Sequence, residues 1–245
     1  LDAHDNEKAV VKKRIIFPRY HQLDVVRKIV ADVRTHGTGK NYLVQHSAGS
    51  GKSNSIAWVA YRFASLFDEH DQHVFDSVIV VTDRRVLDAQ LQETIAGFDH
   101  VVGSVAVIDK KKNSGDLRDE INAGTRLIVS TLQKFPVIFR EVESTGKRFA
   151  VIVDEAHSSQ TGTSALKLKA ALADIEDALA EYAEIEAEEE GSVVDSEDYL
   201  AQELATHGRH ENLTFCAFTA TPKEQTLEMF GVERPDGSYH PFHIY

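Results

Sequence analysis

Short, nearly continuous apolar runs recur along the chain, and stretches with helical spacing separate them. The runs are Tyr42–Gln45, Ser77–Thr82, Val101–Ile108, Arg126–Ser130, Phe149–Val153 and Thr214–Thr219. Unbroken apolar character over so few residues predicts strands covered on both faces. Between them, His21–Arg34, Ser53–Phe67, Leu87–Ile95, Gly115–Asn122 and Ser164–Tyr182 space their apolar residues at three and four, which predicts helices. Strands alternating with helices predict an α/β fold of three layers, a mostly parallel sheet with helices on both sides. Ligands of such sheets bind at the carboxyl ends of the strands.

One segment interrupts this alternation. Leu168, Leu172, Ile175, Leu179, Tyr182 and Ile185 form a single apolar stripe, and the other faces of that helix are acidic. A surface helix packed on the core and a helix that docks a partner both fit this pattern. Glu188-Glu189-Glu190-Gly191-Ser192 reads as a turn at its tip. The segment changes the meaning of the formal net charge of −12. Thirteen of the 39 acidic residues lie between Ala170 and Gly208, where there is no Lys or Arg, leaving 26 acidic against 27 basic residues elsewhere. The acidity is local, and the remaining surface can meet a phosphate backbone.

The 245 residues suffice for one large core, or a core with an appendage. No apolar run approaches the roughly 20 residues of a membrane-spanning helix, and the polar start from Leu1 to Lys8 is no secretory signal. A single cysteine, Cys216, excludes an internal disulfide and fits a cytoplasmic protein. It lies inside an apolar run, as a small buried side chain would. The chain starts at Leu1 and its one methionine is Met229, as expected of a piece of a longer protein. His207 and His210 are three apart with no Cys or acidic pair beside them, so no zinc is assigned.

The chemistry sits at strand ends. After Tyr42–Gln45 comes His46-Ser47-Ala48-Gly49-Ser50-Gly51-Lys52-Ser53, a glycine-rich turn between a strand and a helix. Gly49 and Gly51 let backbone N–H groups turn inward around phosphates, and the following helix points its positive end at the anion. Lys52 would reach the outer phosphates and Ser53 would hold Mg²⁺, which makes the ligand a nucleotide such as ATP. The common pattern has Gly where this chain has His46. A second strand ends in Asp154-Glu155-Ala156-His157. Asp154 would serve Mg²⁺ and Glu155 would activate the attacking water. A third ends in Thr219-Ala220-Thr221-Pro222, whose hydroxyls could meet those carboxylates.

In this order, the three segments resemble the first motor domain of superfamily 2 helicases and translocases. The resemblance implies a RecA-like P-loop NTPase domain in which Asp154 and Glu155 handle metal and water. It also implies that Thr219, Ala220 and Thr221 couple hydrolysis to DNA movement. Pro18-Arg19-Tyr20-His21-Gln22 is similar to the family's upstream glutamine motif, so Gln22 would read adenine. Val80–Leu87 and Val129–Phe135 are similar to the two segments that grip the DNA backbone, which implies contacts from Arg84, Arg85, Thr131 and Lys134. Such contacts go to phosphates and position the protein rather than read sequence.

The wording of Val44–Ser53, Thr82–Asp88 and Asp154–Gln160 resembles the motor (R) subunit of type I restriction endonucleases, a subfamily that accepts His46. That implies an ATP-dependent double-stranded DNA translocase, part of a site-specific deoxyribonuclease. It further implies methylation and specificity subunits as partners. On this reading residues 1–17 lead in from a nuclease domain, and 18–245 form the motor domain. An acidic insertion lies at about 168–208, and 230–245 lead to a second RecA-like domain. The arginine that stabilises the transition state belongs to that second domain, so this piece alone would hydrolyse ATP poorly. Another superfamily 2 DNA or RNA helicase shares the motifs. A P-loop module that switches on ATP without moving nucleic acid shares the loop.

Overall fold

The computed structural model describes residues 17–82, 91, 94–95, 104–108, 111–131, 146–154 and 211–245. In chain order the elements are α1 (Tyr20–His36), β1 (Tyr42–Gln45), α2 (Lys52–Ala64), β2 (Ser77–Thr82), β3 (Val105–Val107), α3 (Ser114–Asn122) and β4 (Leu127–Thr131). There follow β5 (Phe149–Asp154), β6 (Leu213–Thr219), α4 (Glu224–Phe230), β7 (Val232–Glu233), β8 (Tyr239–His240) and β9 (His243–Ile244). Seven strands make one sheet in the order β3-β4-β2-β5-β6-β1-β9, with every pairing parallel. β7 and β8 form a small antiparallel ribbon.

Alternating strand residues divide the core into two halves. Val78 and Val80 of β2, Ala150 and Ile152 of β5, and Cys216 and Phe218 of β6 face α1 and α2. Ile79, Val81, Ile128, Phe149, Val151 and Leu213 face the other way, against Leu117 and Ile121 of α3. With both faces covered, strands gain nothing from polar alternation, hence the unbroken apolar runs. The three-layer α/β fold expected from the sequence is the one present. Cys216 is fully buried, and burial pushes its thiol pKa up, so it acts as packing.

Helix α1 buries Val25, Val26, Ile29, Val30 and Val33 as one stripe. It ends at Gly37, whose φ of +75° suits glycine and whose N–H donates to Val33 O at 2.8 Å. Asp32, near that end, accepts hydrogen bonds from Lys40 and from the Tyr42 hydroxyl and so ties α1 to β1. Burial works against its charge, but these two bonds hold the carboxyl below its ordinary value.

The long strands lie within one residue of their sequence-based bounds. β3 is shorter than the expected Val101–Ile108, whose first three residues lie outside the described set. Helix α2 stops at Ala64, short of the expected Phe67. The Asp68 carboxylate accepts the N–H groups of His70 and Gln72, folding the chain back so that Phe67 bridges His73. Of the expected helix Leu87–Ile95, only Leu91, Thr94 and Ile95 are described, and they are helical. The helix Ser164–Tyr182 and the acidic segment lie outside the described residues. α4, β7, β8 and β9 were not expected from the pattern, being too short to show a period.

Ile152 is fully buried on the central strand β5. Ile152→Ala should lower unfolding free energy by about 2–5 kcal/mol, read from the urea midpoint at unchanged m-value.

Candidate active site

The parallel sheet collects the predicted residues at one end because each closes a strand. Thr82 lies opposite both Thr131 and Asp154, Asp154 opposite Phe218, and Thr219 opposite Gln45. Thr131, Thr82, Asp154, Thr219 and the start of the glycine-rich loop therefore stand in a row along the carboxyl edge. Thr219 and Thr131 are buried, Asp154 and Ala220 are half-buried, and Thr221 is exposed. The far end of the sheet is tied down differently. Arg126 donates to the carbonyls of Asp76 and Ala64, and the Arg148 amide donates to the Asp76 carboxylate.

The loop begins where β1 ends. The His46 amide donates to Thr219 O at 3.0 Å, and the Ser47 amide to Tyr245 O at 2.9 Å. The loop is thus strung between β6 and the residue after β9. Gly49 and Gly51 sit at φ of +78° and +82°. A Cβ at Gly49 would meet nothing within 4 Å, so the cradle is open there. At Gly51 a Cβ would lie 2.6 Å from the Gln22 side-chain nitrogen. Gly51 caps α2, and its carbonyl accepts the first amides of that helix, from Asn54 and Ser55. Lys52 and Ser53 open the helix half-buried, at its positive end.

Gln22 is buried behind the loop. Its amide nitrogen donates to Ser50 O at 3.2 Å and Gly51 O at 3.0 Å, and its amide oxygen accepts the Arg19 N–H at 2.8 Å. His21 Nε2 also meets Ser50 O, at 3.1 Å. Among the described residues, the buried hydroxyls of Ser50 and Thr82 have no hydrogen-bond partner. Ser50 lies within the loop of left-handed glycines, where a bound anion would satisfy its hydroxyl, and Thr82 lies across two intervening strands, beside Asp154. The residues present fit a nucleotide phosphate chain, and Ser53 and Asp154 carry the oxygen atoms that a Mg²⁺ ion would take. A cavity of about 610 Å³ opens between α1 and α2, lined among others by Pro18, Gln22, Trp58 and Tyr61.

Glu155, Arg84, Arg85 and Lys134 lie outside the described residues. Sequence reasoning missed a line of side chains at His46. His46 Nε2 lies 3.0 Å from His243 Nδ1, and His243 Nε2 lies 2.9 Å from the Asp24 carboxylate. Burial pushes the His46 pKa down to about 4, with repulsion from His243, His21 and Lys52 adding to it.

The SWI2/SNF2 ATPase family matches residues 21–180, and the chain belongs to that family. A putative type I restriction enzyme MjaVIIIP endonuclease subunit from Methanocaldococcus jannaschii is 27% identical over 173 residues. The match covers 62% of this chain, which spans only 16% of that relative's length. Among solved structures, the Hef helicase domain of Pyrococcus furiosus aligns with 84% of this chain and 34% of its own, at a TM-score of 0.48 and 15% identity. The SWI2/SNF2 ATPase core of Sulfolobus solfataricus, solved with dsDNA, aligns with 88% of this chain and 35% of its own, at 0.48 and 13%. No helix among the described residues is long and apolar enough to cross a membrane.

Gly51→Ala meets both a forbidden φ and the Gln22 side chain, so it should destabilise the fold by about 1–3 kcal/mol and weaken nucleotide binding. Thermal unfolding and titration with a fluorescent ATP analogue read the two effects. The His46 imidazole titrates near 6.5 when unfolded and near 4 in the fold. Between those values the unfolded chain holds the extra proton, so stability falls as pH drops through that window, by up to about 3 kcal/mol. Urea midpoints measured from pH 7 to 4 should show this slope, and His46→Ala should flatten it.

Proposed function

We propose that this SWI2/SNF2-family domain is the ATP-binding motor of a type I restriction enzyme R subunit. ATP hydrolysis there drives translocation of double-stranded DNA ahead of cleavage by a nuclease elsewhere in the subunit. The observation that carries the reading is the shared carboxyl edge. A phosphate cradle, a strand-terminal Asp154 and a strand-terminal Thr219 bonded to the cradle's first residue lie side by side. The wording of the motifs and the restriction-subunit relative support the finer assignment.

In this reading the amides from Gly49 to Ser53 and the Lys52 ammonium hold the phosphates. Ser53 and Asp154 hold Mg²⁺, which neutralises charge on the transferring phosphoryl group. Glu155 orients the attacking water and accepts its proton. Gln22 and the cleft beside it take the adenine. Thr219, Ala220 and Thr221 relay the nucleotide state, since Thr219 O bonds to the loop while Thr221 faces solvent. Arg84, Arg85, Thr131 and Lys134 contact DNA phosphates. Residues 1–17 lead in from the nuclease domain, and 230–245 lead to the second RecA-like domain. The methylation and specificity subunits complete the assembly, which works in the cytoplasm.

Lys52→Ala in the full restriction complex should abolish ATP-dependent translocation, followed by displacement of a DNA triplex, while circular dichroism stays that of wild type. Translocation that survives would show that the loop is not the fuel site. Glu155→Gln should keep ATP binding and slow hydrolysis by about a hundredfold or more, read from phosphate release.

A further inference from the structure

The loop's first residue departs from the common phosphate-loop pattern, and the fold holds that residue from several sides. His46 is fully buried. Its amide bonds to β6, and its ring meets His243 of β9, which in turn meets Asp24 of α1. The next residue, Ser47, donates its amide to Tyr245 O. The Tyr245 ring stacks on His21 with centroids 3.5 Å apart and planes 8° apart. His21 itself reaches the loop carbonyl of Ser50. β9 is docked along β1 as well, through Phe242 N–H to Leu43 O and Tyr245 N–H to Gln45 O. Phe242 lies edge-on to Tyr42, at 5.1 Å.

We infer that Asp24 and His243 are positioning residues for nucleotide binding: they form a buried relay to His46 through which strand β9 sets the shape of the phosphate loop. The reading rests on the loop being an ATP site. The carboxylate at Asp24 fixes a proton on His243 Nε2 and leaves His243 Nδ1 facing His46 as an acceptor. His46 then donates from Nε2, and its own Nδ1 is a bare lone pair, in keeping with that atom having no partner. Each ring is thereby held in one tautomer and one orientation. A glycine in place of His46 would offer no side chain to this relay, leaving the Ser47 amide bond to Tyr245 and the stack of Tyr245 on His21. Lys28 also pairs with Asp24, at 2.8 Å, from the solvent side, and keeps the carboxylate charged at the relay's outer end.

The test uses the full-length subunit with double-stranded DNA, measuring binding of a fluorescent ATP analogue together with KM and kcat for ATP. His46→Ala and His243→Ala should each weaken nucleotide binding about tenfold, with the loss in KM, and the double variant should be no worse than the poorer single one. His243→Asn keeps a polar atom where Nδ1 faces His46, whereas His243→Gln keeps one where Nε2 faces Asp24. Asn should bind within about threefold of wild type and Gln should resemble Ala, which a merely space-filling histidine would not produce. Should His243→Ala fail to fold, the contrast between Asn and Gln decides. Additive single effects, a loss confined to kcat, or equal behaviour of Asn and Gln would overturn the inference. Lys52→Ala run beside them separates the two readings: if it binds nucleotide as well as wild type does, the ATP site is refuted along with the relay. If it loses binding while the histidine variants are additive, only the relay fails.

Discussion

A phosphate loop can present its amides inward only if its carbonyls are held outward, and here that hold comes from helix α1. Ser50 O and Gly51 O are bonded by Gln22, with His21 joining at Ser50. The cradle is therefore not a free-standing motif. It depends on α1 lying where it does, which depends in turn on the stripe from Val25 to Val33 and on Asp32 joining Lys40 and Tyr42. The same arrangement explains the glycine next to Lys52: the space its Cβ would need is filled by Gln22, and its φ excludes most other residues. A residue whose sequence context suggests a reader of adenine is also the brace behind the loop.

The strands were legible because covering a sheet on both faces leaves a signal that local reading can detect, a run with no polar breaks. The loop was legible because its glycines and Lys52 sit in contiguous order between a strand and a helix. What failed to show was whatever depends on distant partners. β9 is two residues long, and its neighbours Pro241, Phe242 and Tyr245 form no periodic pattern. Its identity as a strand comes wholly from the ladder that β1 offers. The line from Asp24 through His243 to His46 joins positions separated by up to 219 residues, and nothing local marks any of the three. Their one sequence signal was the departure at His46 itself. The sequence pattern carries α2 on to Phe67 because Ser65 to Phe67 remain compatible with a helix, while the turn that stops it is built by Asp68 just beyond.

The edge of the sheet also orders the chemistry in space. Parallel register brings Thr82, Thr131, Asp154 and Thr219 to the same height, although they lie far apart in the chain. Three of these are threonines, all buried, on the same edge as the half-buried Asp154. Short hydroxyl side chains suit such a place. They can bond to a carboxylate or to a phosphate oxygen, and they cost less to bury than a charge when either partner is lacking. Among the described residues, the carboxyl edge is thus polar with charge at Asp154 and Lys52.

A buried neutral histidine at the head of a phosphate loop needs a physical reason, because burying it costs proton affinity and leaves one ring nitrogen unpaired. Glycine, which the common pattern has at this place, carries neither cost. The return is mechanical. Glycine would leave only the backbone ladder between the end of β1 and β9, whereas His46 adds a directional side-chain bond to that strand. In the motor proposed above, where the state of the phosphates has to be passed on, a rigid link from the loop to β9 has a use. The departure from the pattern and the strand that sequence could not reveal are then two ends of one device.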